Sequence, residues 1–239
     1  MRYVSNAGII FTRNEISIGI DCFCKDENNL YPDTPIDIKR ELWQQIEDGI
    51  LGALIFTHEH SDHFYKGDVV EAFRRNQDLQ VYSTDAVIKQ LMNEGIDPQC
   101  LHAVADNEEI SFGDMNIKFC YTIHEGEQYA DVLNLTLLIN TEDEKVVVFG
   151  DAKANEALFQ RVTEWSMETD KLIVPFPYVG LRSTRKLLQT VLMKKIYALH
   201  LPKREMDLQR WAENTKKVCE QATDELPNPI FLETLGKYY

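Results

Sequence analysis

Polar and apolar positions change period along this chain, and the changes mark most of its elements. Residues 3–21 alternate in short apolar bursts broken by Gly8 and by an Arg13-Asn14 turn, which predicts two or three short strands. From Asp37 to Asp48 the period lengthens: Ile38, Leu42 and Ile46 fall four apart, as on one face of a helix, and Gly49 stops it. The run 50–56 (Ile-Leu-Gly-Ala-Leu-Ile-Phe) is apolar throughout and short, the mark of a strand buried on both faces. A helix is expected from about Lys66 to Asn76, a strand over Leu79 to Tyr82, and a helix capped by Thr84 that ends at Gly95.

The second half repeats the alternation. Glu109 to Phe112 and Asn116 to Phe119 read as a hairpin around Gly113-Asp114. Val132 to Ile139 and Val146 to Phe149 form a second pair around 142–144. Helices are predicted over Asn155 to Ser166, Ser183 to Met193 and Asp207 to Ala222. Leu172 to Pro175, Ile196 to Leu199 and Ile230 to Leu232 complete the strands. Two runs of strands, each followed by alternating helix and strand, point to an α/β architecture of two sheets flanked by helices.

Against this frame one polar stretch stands out. Thr57-His58-Glu59-His60-Ser61-Asp62-His63 holds three of the chain's six histidines and sits between a buried strand and a helix. Strand-like alternation places His58 and His60 on one side and Glu59 on the other. Asp62 and His63 fall where the chain turns into the helix and can face a second point. Two groups of ligands aimed at two neighbouring points suit a pair of metal ions. The alternative is a polar surface loop that is rich in histidine.

The spacing H-x-H-x-D-H after an apolar strand resembles the signature of the metallo-β-lactamase-fold hydrolases. In that family a histidine, an aspartate and a last histidine follow from later loops. This chain has His124 after an apolar alternating stretch, Asp151 directly after Val146 to Gly150, and His200 after Ile196 to Leu199. Ser5-Asn6-Ala7-Gly8 and Ile18-Gly19-Ile20-Asp21 also look like the family's opening strands, so the resemblance spans nearly the whole chain. It implies a four-layer αββα sandwich of two mixed β-sheets in one domain, 1–239. It also implies that His58, His60 and His124 hold one ion, that Asp62, His63 and His200 hold the other, and that Asp151 bridges them. Asp21 would steady a ligand histidine from behind, or serve only as a turn aspartate. Imidazole and carboxylate ligands without thiolate suit two Zn2+, with Mn2+ or Fe as alternatives. Flavo-diiron oxidoreductases of this fold have glutamate at the second ligand position. His60 stands there in this chain and favours hydrolysis.

The resemblance is nearest to the compact lactonase-like and phosphodiesterase-like branch, which implies cleavage of a phosphodiester, lactone or ester bond in a small anionic substrate. Asp62, Asp151 and Tyr178 are the expected catalytic groups. Tyr178 is placed for a proton donor, with a packed aromatic as the alternative, and Arg182 and Arg185 are candidate anion contacts or a solvated helix face. Lys153 is a similar candidate, and His102 matches no ligand position. The alternatives in function are a ribonuclease Z-like nuclease and a non-catalytic metal-binding module.

Composition narrows these choices a little. Hydrophobic residues make up 44% of 239, enough for a sizeable core. A formal net charge of -14 repels nucleic acid at long range and weighs against the nuclease. No apolar run is long enough for a membrane span. The first residues lack the apolar core of a secretion signal, so a cytoplasmic protein with reduced cysteines is expected. Cys22-Phe23-Cys24 has C-x-C spacing with no second cysteine pair, so reduced, mostly buried thiols are the default and a soft-metal or redox pair is the alternative. A homo-oligomer is compatible with the sequence.

Overall fold

In the computed structural model, residues 1–166, 168–222 and 225–239 are described. They form two compact units, one of Met1–Ala105 with Thr234–Tyr239, the other of Asp106–Glu233.

In the first unit the strands are β1 (Arg2–Tyr3), β2 (Ile9–Arg13) and β3 (Ile16–Ile20), then α1 (Ile36–Glu47), β4 (Leu51–Ile55), α2 (Lys66–Arg75), β5 (Gln80–Ser83), α3 (Asp85–Met92) and β6 (Leu101–Ala103). They build one six-stranded sheet in sequence order. The first three strands are antiparallel, and β3 to β6 are parallel. The β2–β3 hairpin turns on Asn14 and Glu15, both at positive φ (45° and 68°), the primed two-residue turn that follows strand twist. Parallel pairing needs crossovers, and α1, α2 and α3 supply them. Each presents an apolar stripe to the core: Ile38, Leu42 and Ile46 from α1, Val69 and Phe73 from α2. Thr84 caps α3 as expected, its side chain accepting from the Val87 amide.

The second unit contains β7 (Glu109–Phe112), β8 (Met115–Ile123), β9 (Leu133–Asn140), β10 (Lys145–Val148), α4 (Glu156–Trp165), β11 (Thr169–Pro175), α5 (Pro177–Gly180), α6 (Arg182–Leu188), β12 (Met193–Leu199), α7 (Trp211–Gln221) and β13 (Ile230–Phe231). Its seven strands also lie in sequence order. β7 to β10 are antiparallel and β10 to β13 parallel, so it repeats the first unit's plan of a meander followed by crossovers. The repeat is visible in topology and not in residue similarity. Residues 146–149, 172–175 and 196–199 are buried throughout, which is why they read as unbroken apolar runs.

Three expectations shift. The helix predicted to reach Met193 ends at Leu188, because Met193 pairs with Thr169 and begins β12. The last helix starts at Trp211 rather than Asp207. Arg210 is in the left-handed region (φ 56°), and the Asp207 carboxylate instead accepts from the Trp211 and Ala212 amides. Between Pro175 and Ser183, where the sequence predicted no element, the chain forms the short turn α5.

Asp170 stitches three strands of the second sheet. It accepts from the Lys145 amide at 2.8 Å and pairs with Lys194 Nζ at 2.7 Å. The Lys194 contact, then the Lys145 amide, lower its pKa below the ordinary carboxylate range. A lowered folded pKa means that the stabilisation is present above the unfolded value and is lost as pH falls through the folded one. Thermal unfolding of Asp170→Asn should therefore show a lower Tm than wild type near neutral pH, with the two converging in acid. A difference that stayed constant on acidification would remove the carboxylate from this role.

Candidate metal centre

In the first unit β3 and β4 run parallel, with Ile20 opposite Ile55, so their C-terminal ends put Asp21 beside Thr57. Asp21 is 1% exposed and sits at φ 46°. Burying a carboxylate is costly unless its oxygens are answered. Here Oδ1 accepts from the Thr57 amide at 2.8 Å, and Oδ2 accepts from Thr57 Oγ1 at 2.7 Å. His63 Nδ1 lies 2.8 Å from Oδ2 and donates to it, which turns its Nε2 into the lone-pair nitrogen. Thr57 has spent its one proton on Asp21, so at His58 Nδ1, 3.0 Å away, it accepts. His58 is thereby left with its lone pair on Nε2 as well.

The motif then folds tightly on itself. The His63 and Phe64 amides both donate to the His60 carbonyl. His58 Nε2 faces His60 Nδ1 at 3.1 Å, so the two share a side as strand alternation required. The His58 and His63 rings are 4.1 Å apart, and His63 Nε2 is 3.8 Å from Asp62 Oδ2. Asn6 Nδ2 holds Asp62 through both its Oδ2 (3.1 Å) and its carbonyl (3.2 Å). Four ligand-type side chains thus cluster within seven residues.

In the second unit the remaining three converge. His124 follows β8, and its Nδ1 donates to the Glu125 carbonyl at 2.6 Å, again leaving the lone pair on Nε2. His200 follows β12 in the left-handed region (φ 64°). Asp151 follows β10 across Gly150 (φ 55°). His124 Nε2 is 3.6 Å and His200 Nε2 3.1 Å from the same oxygen, Asp151 Oδ2. Two buried imidazoles around one carboxylate oxygen, with only N and O donors, is a set that fits a divalent cation.

The other sequence candidates lie differently. Tyr178 is 3% exposed and packs against Phe149 and Phe159. Burial, with the Asp151 and Glu125 charges adding, raises the phenol well above its ordinary pKa, and its hydroxyl donates to the Ala152 carbonyl. The packed-aromatic alternative describes these surroundings, and the hydroxyl is committed to the backbone. Arg185 pairs with Glu225 at 2.9 Å and donates to the Gly180 carbonyl, so it ties helices together. Arg182 and Lys153 are exposed. His102 stacks on Tyr82 and hydrogen-bonds Gln80 away from either cluster. Cys22 and Cys24 are free and buried; burial pushes the first thiol well up and the second to about 11, so neither is a thiolate at neutral pH. Asn6 and Asn134, both fully buried, were missed as supports. A polar residue inside the apolar run 132–139 was the available signal for Asn134.

The family model for the beta-lactamase superfamily domain matches residues 29–203. The chain belongs to that superfamily. The fold agrees along the full length with solved structures. A possible metal-dependent hydrolase from Veillonella parvula is 14% identical with a TM-score of 0.74, covering 99% of this chain and 98% of its own. An isothiocyanate hydrolase from Delia radicum gut bacteria is 15% identical, with 99% of both chains covered and a TM-score of 0.69. The metallo-beta-lactamase fold protein YhfI from Bacillus subtilis is 18% identical, with 98% and 90% covered and a TM-score of 0.65. At these identities the likeness establishes the metallo-β-lactamase fold and nothing finer. No curated protein sequence matches the chain. Among the described residues no helix is long and apolar enough to cross a membrane.

The Asp21 contact yields a direct test. Asp21→Asn keeps the side chain's size and removes the charge that holds His63 Nδ1–H. Outer-shell partners of this kind are worth about 10–100-fold in metal affinity. Competition with a chelator should show a loss of that size, and an unchanged affinity would mean that His63 needs no such support.

Proposed function

We propose that this chain is a dinuclear metal-dependent hydrolase that cleaves a phosphodiester, lactone or ester bond in a small anionic substrate. In this reading His58, His60 and His124 hold one ion, Asp62, His63 and His200 the other, and Asp151 bridges the two. The observation that carries it is the pairing of His124 and His200 on one Asp151 oxygen, at 3.6 and 3.1 Å. A carboxylate oxygen approached by two imidazole nitrogens, one of them fixed as a lone pair by the His124 Nδ1 contact, suits a ligand shared between two ions. The H-x-H-x-D-H turn, which resembles the family's signature, supports the companion half.

Two bound ions, Zn2+ in the first instance, would supply a water acidified toward neutral pH and polarisation of the substrate oxygen under attack. The chain's own residues do the rest. Asp21 and Thr57 hold His63 and His58 in the tautomers that present Nε2. Asn6 fixes Asp62, which acts as ligand and as acceptor for the proton of the attacking water. Tyr178, whose hydroxyl is bound to the Ala152 carbonyl, serves this reading as a brace of the Asp151 loop in place of a proton donor. No serine or cysteine nucleophile is needed, in keeping with five cysteines that are free and buried. Work in a reducing cytoplasm belongs to the same reading. The charge of -14 favours a small substrate over nucleic acid.

Elemental analysis of the purified protein should find two metals per chain, and a panel of bis-(p-nitrophenyl) phosphate, lactones and aryl esters should find turnover. His58→Ala and Asp151→Ala should each lower that turnover by more than about 100-fold, above what outer-shell partners contribute. Two bound ions with no turnover anywhere on the panel would leave a metal-binding module instead.

A further inference from the structure

The turn that presents Asp151 is held by side chains that are not ligands. Asn134, on β9, is 0% exposed. Its Oδ1 accepts from the Asp151 amide at 2.9 Å, and its Nδ2 donates to the Phe149 carbonyl at 2.9 Å. One side chain therefore bonds the peptide groups on both sides of Gly150, the left-handed residue between them. The amide cannot be turned over without facing donor to donor and acceptor to acceptor. Its orientation is locked further from behind: Nδ2 also donates to Thr122 Oγ1 at 2.8 Å, and that hydroxyl donates to the Asn134 carbonyl at 2.9 Å.

Past Asp151 a second brace begins. Tyr178 donates to the Ala152 carbonyl, and its ring is wedged among Phe149 and Phe159. The backbone is pinned between the two braces: the Glu125 amide donates to the Asp151 carbonyl at 2.8 Å and the Lys153 amide to the Ile123 carbonyl at 2.7 Å. That pins the Asp151 loop to the residues flanking His124.

We propose that Asn134 and Tyr178 are positioning residues that fix the Asp151 carboxylate for metal bridging. Asn134 sets the amide side of Asp151, and Tyr178 sets the carbonyl side. Neither touches the substrate or the reacting atoms. Both act through the backbone of residues 149–152, whose direction decides where the carboxylate points. A buried amide with three partners and a buried phenol with one hold that direction more firmly than a loop's own torsions would. The proposal rests on Asp151 being a metal ligand.

The test uses the metal-loaded full chain, prepared with zinc and, for spectroscopy, with cobalt. Asn134→Ala removes the first brace, and Tyr178→Phe removes only a hydroxyl and keeps the ring. Thr136→Val is the control: Thr136 Oγ1 donates to the same Phe149 carbonyl at 3.2 Å but touches nothing at Asp151. Asn134→Ala and Tyr178→Phe should weaken binding of at least one ion about 10–100-fold in chelator competition. They should also shift the visible spectrum of the cobalt protein. Thr136→Val should lower the Tm of the metal-free protein and leave metal affinity and spectrum as in wild type. Should Asn134→Ala not fold, Tyr178→Phe decides alone. Wild-type affinity and spectrum in Tyr178→Phe, with Asp151→Ala losing an ion, would overturn the braces and leave the ligand reading intact. If Asp151→Ala kept both ions, the ligand reading would fail and the braces with it.

Discussion

A carboxylate taken out of water needs a donor for every oxygen, and Asp21 meets that demand in a way that orders half of the site. Its three partners come from Thr57 and His63, which flank the motif, so satisfying the charge fixes both ends of the ligand loop. Parallel pairing of β3 with β4 brings Asp21 to Thr57 in the first place. The sheet therefore does more than carry the loop. It delivers a carboxylate that sets the tautomer of His63 and, through Thr57, of His58. Removing a partner from such a buried network costs more than forming it contributes, because what is left behind is an unanswered charge.

The second unit solves a similar problem with a neutral group. Asp151 follows β10 across Gly150, a glycine in the left-handed region, with its carboxylate against His124 and His200. Such a turn is not stiff by itself. Asn134 bonds the peptide groups on both sides of Gly150, the Glu125 amide takes the Asp151 carbonyl, and Tyr178 takes the Ala152 carbonyl after it. In both units, strand ends place the candidate ligands and buried side chains one step back orient them. In both sheets the clusters follow the C-terminal ends of strands, β4 in the first and β8, β10 and β12 in the second.

Much of this was legible in the sequence because parallel strands buried on both faces leave unbroken apolar runs, and a polar residue after such a run is conspicuous. His58, Asp151 and His200 follow such runs, whereas His124 ends an alternating antiparallel strand and was picked out through the family resemblance. Asp21 was readable only as an even choice between turn residue and support. The structure shows why: it has the left-handed backbone of a turn and the hydrogen bonds of a support together. Asn134 was passed over because a lone amide inside an apolar strand acquires its meaning from Phe149 and Asp151, more than a dozen residues away. Tyr178 carried the chemistry of a proton donor in the sequence, and only the fold shows its hydroxyl spent on a carbonyl. The ends of α6 and α7 were misplaced for a related reason. Pairing of Met193 with Thr169, and the backbone of Arg210, are decided by tertiary contacts that outweigh local periodicity.

The most direct test of the two-ion account is a crystal of the zinc-loaded protein, with anomalous difference maps recorded on either side of the zinc edge. Two peaks are predicted. One should lie about 2 Å from ring nitrogens of His58, His60 and His124, and the other at a similar distance from His63 and His200 with Asp62 beside it. The Asp151 carboxylate should lie between them. A single peak, or peaks that leave Asp151 unliganded, would contradict the account.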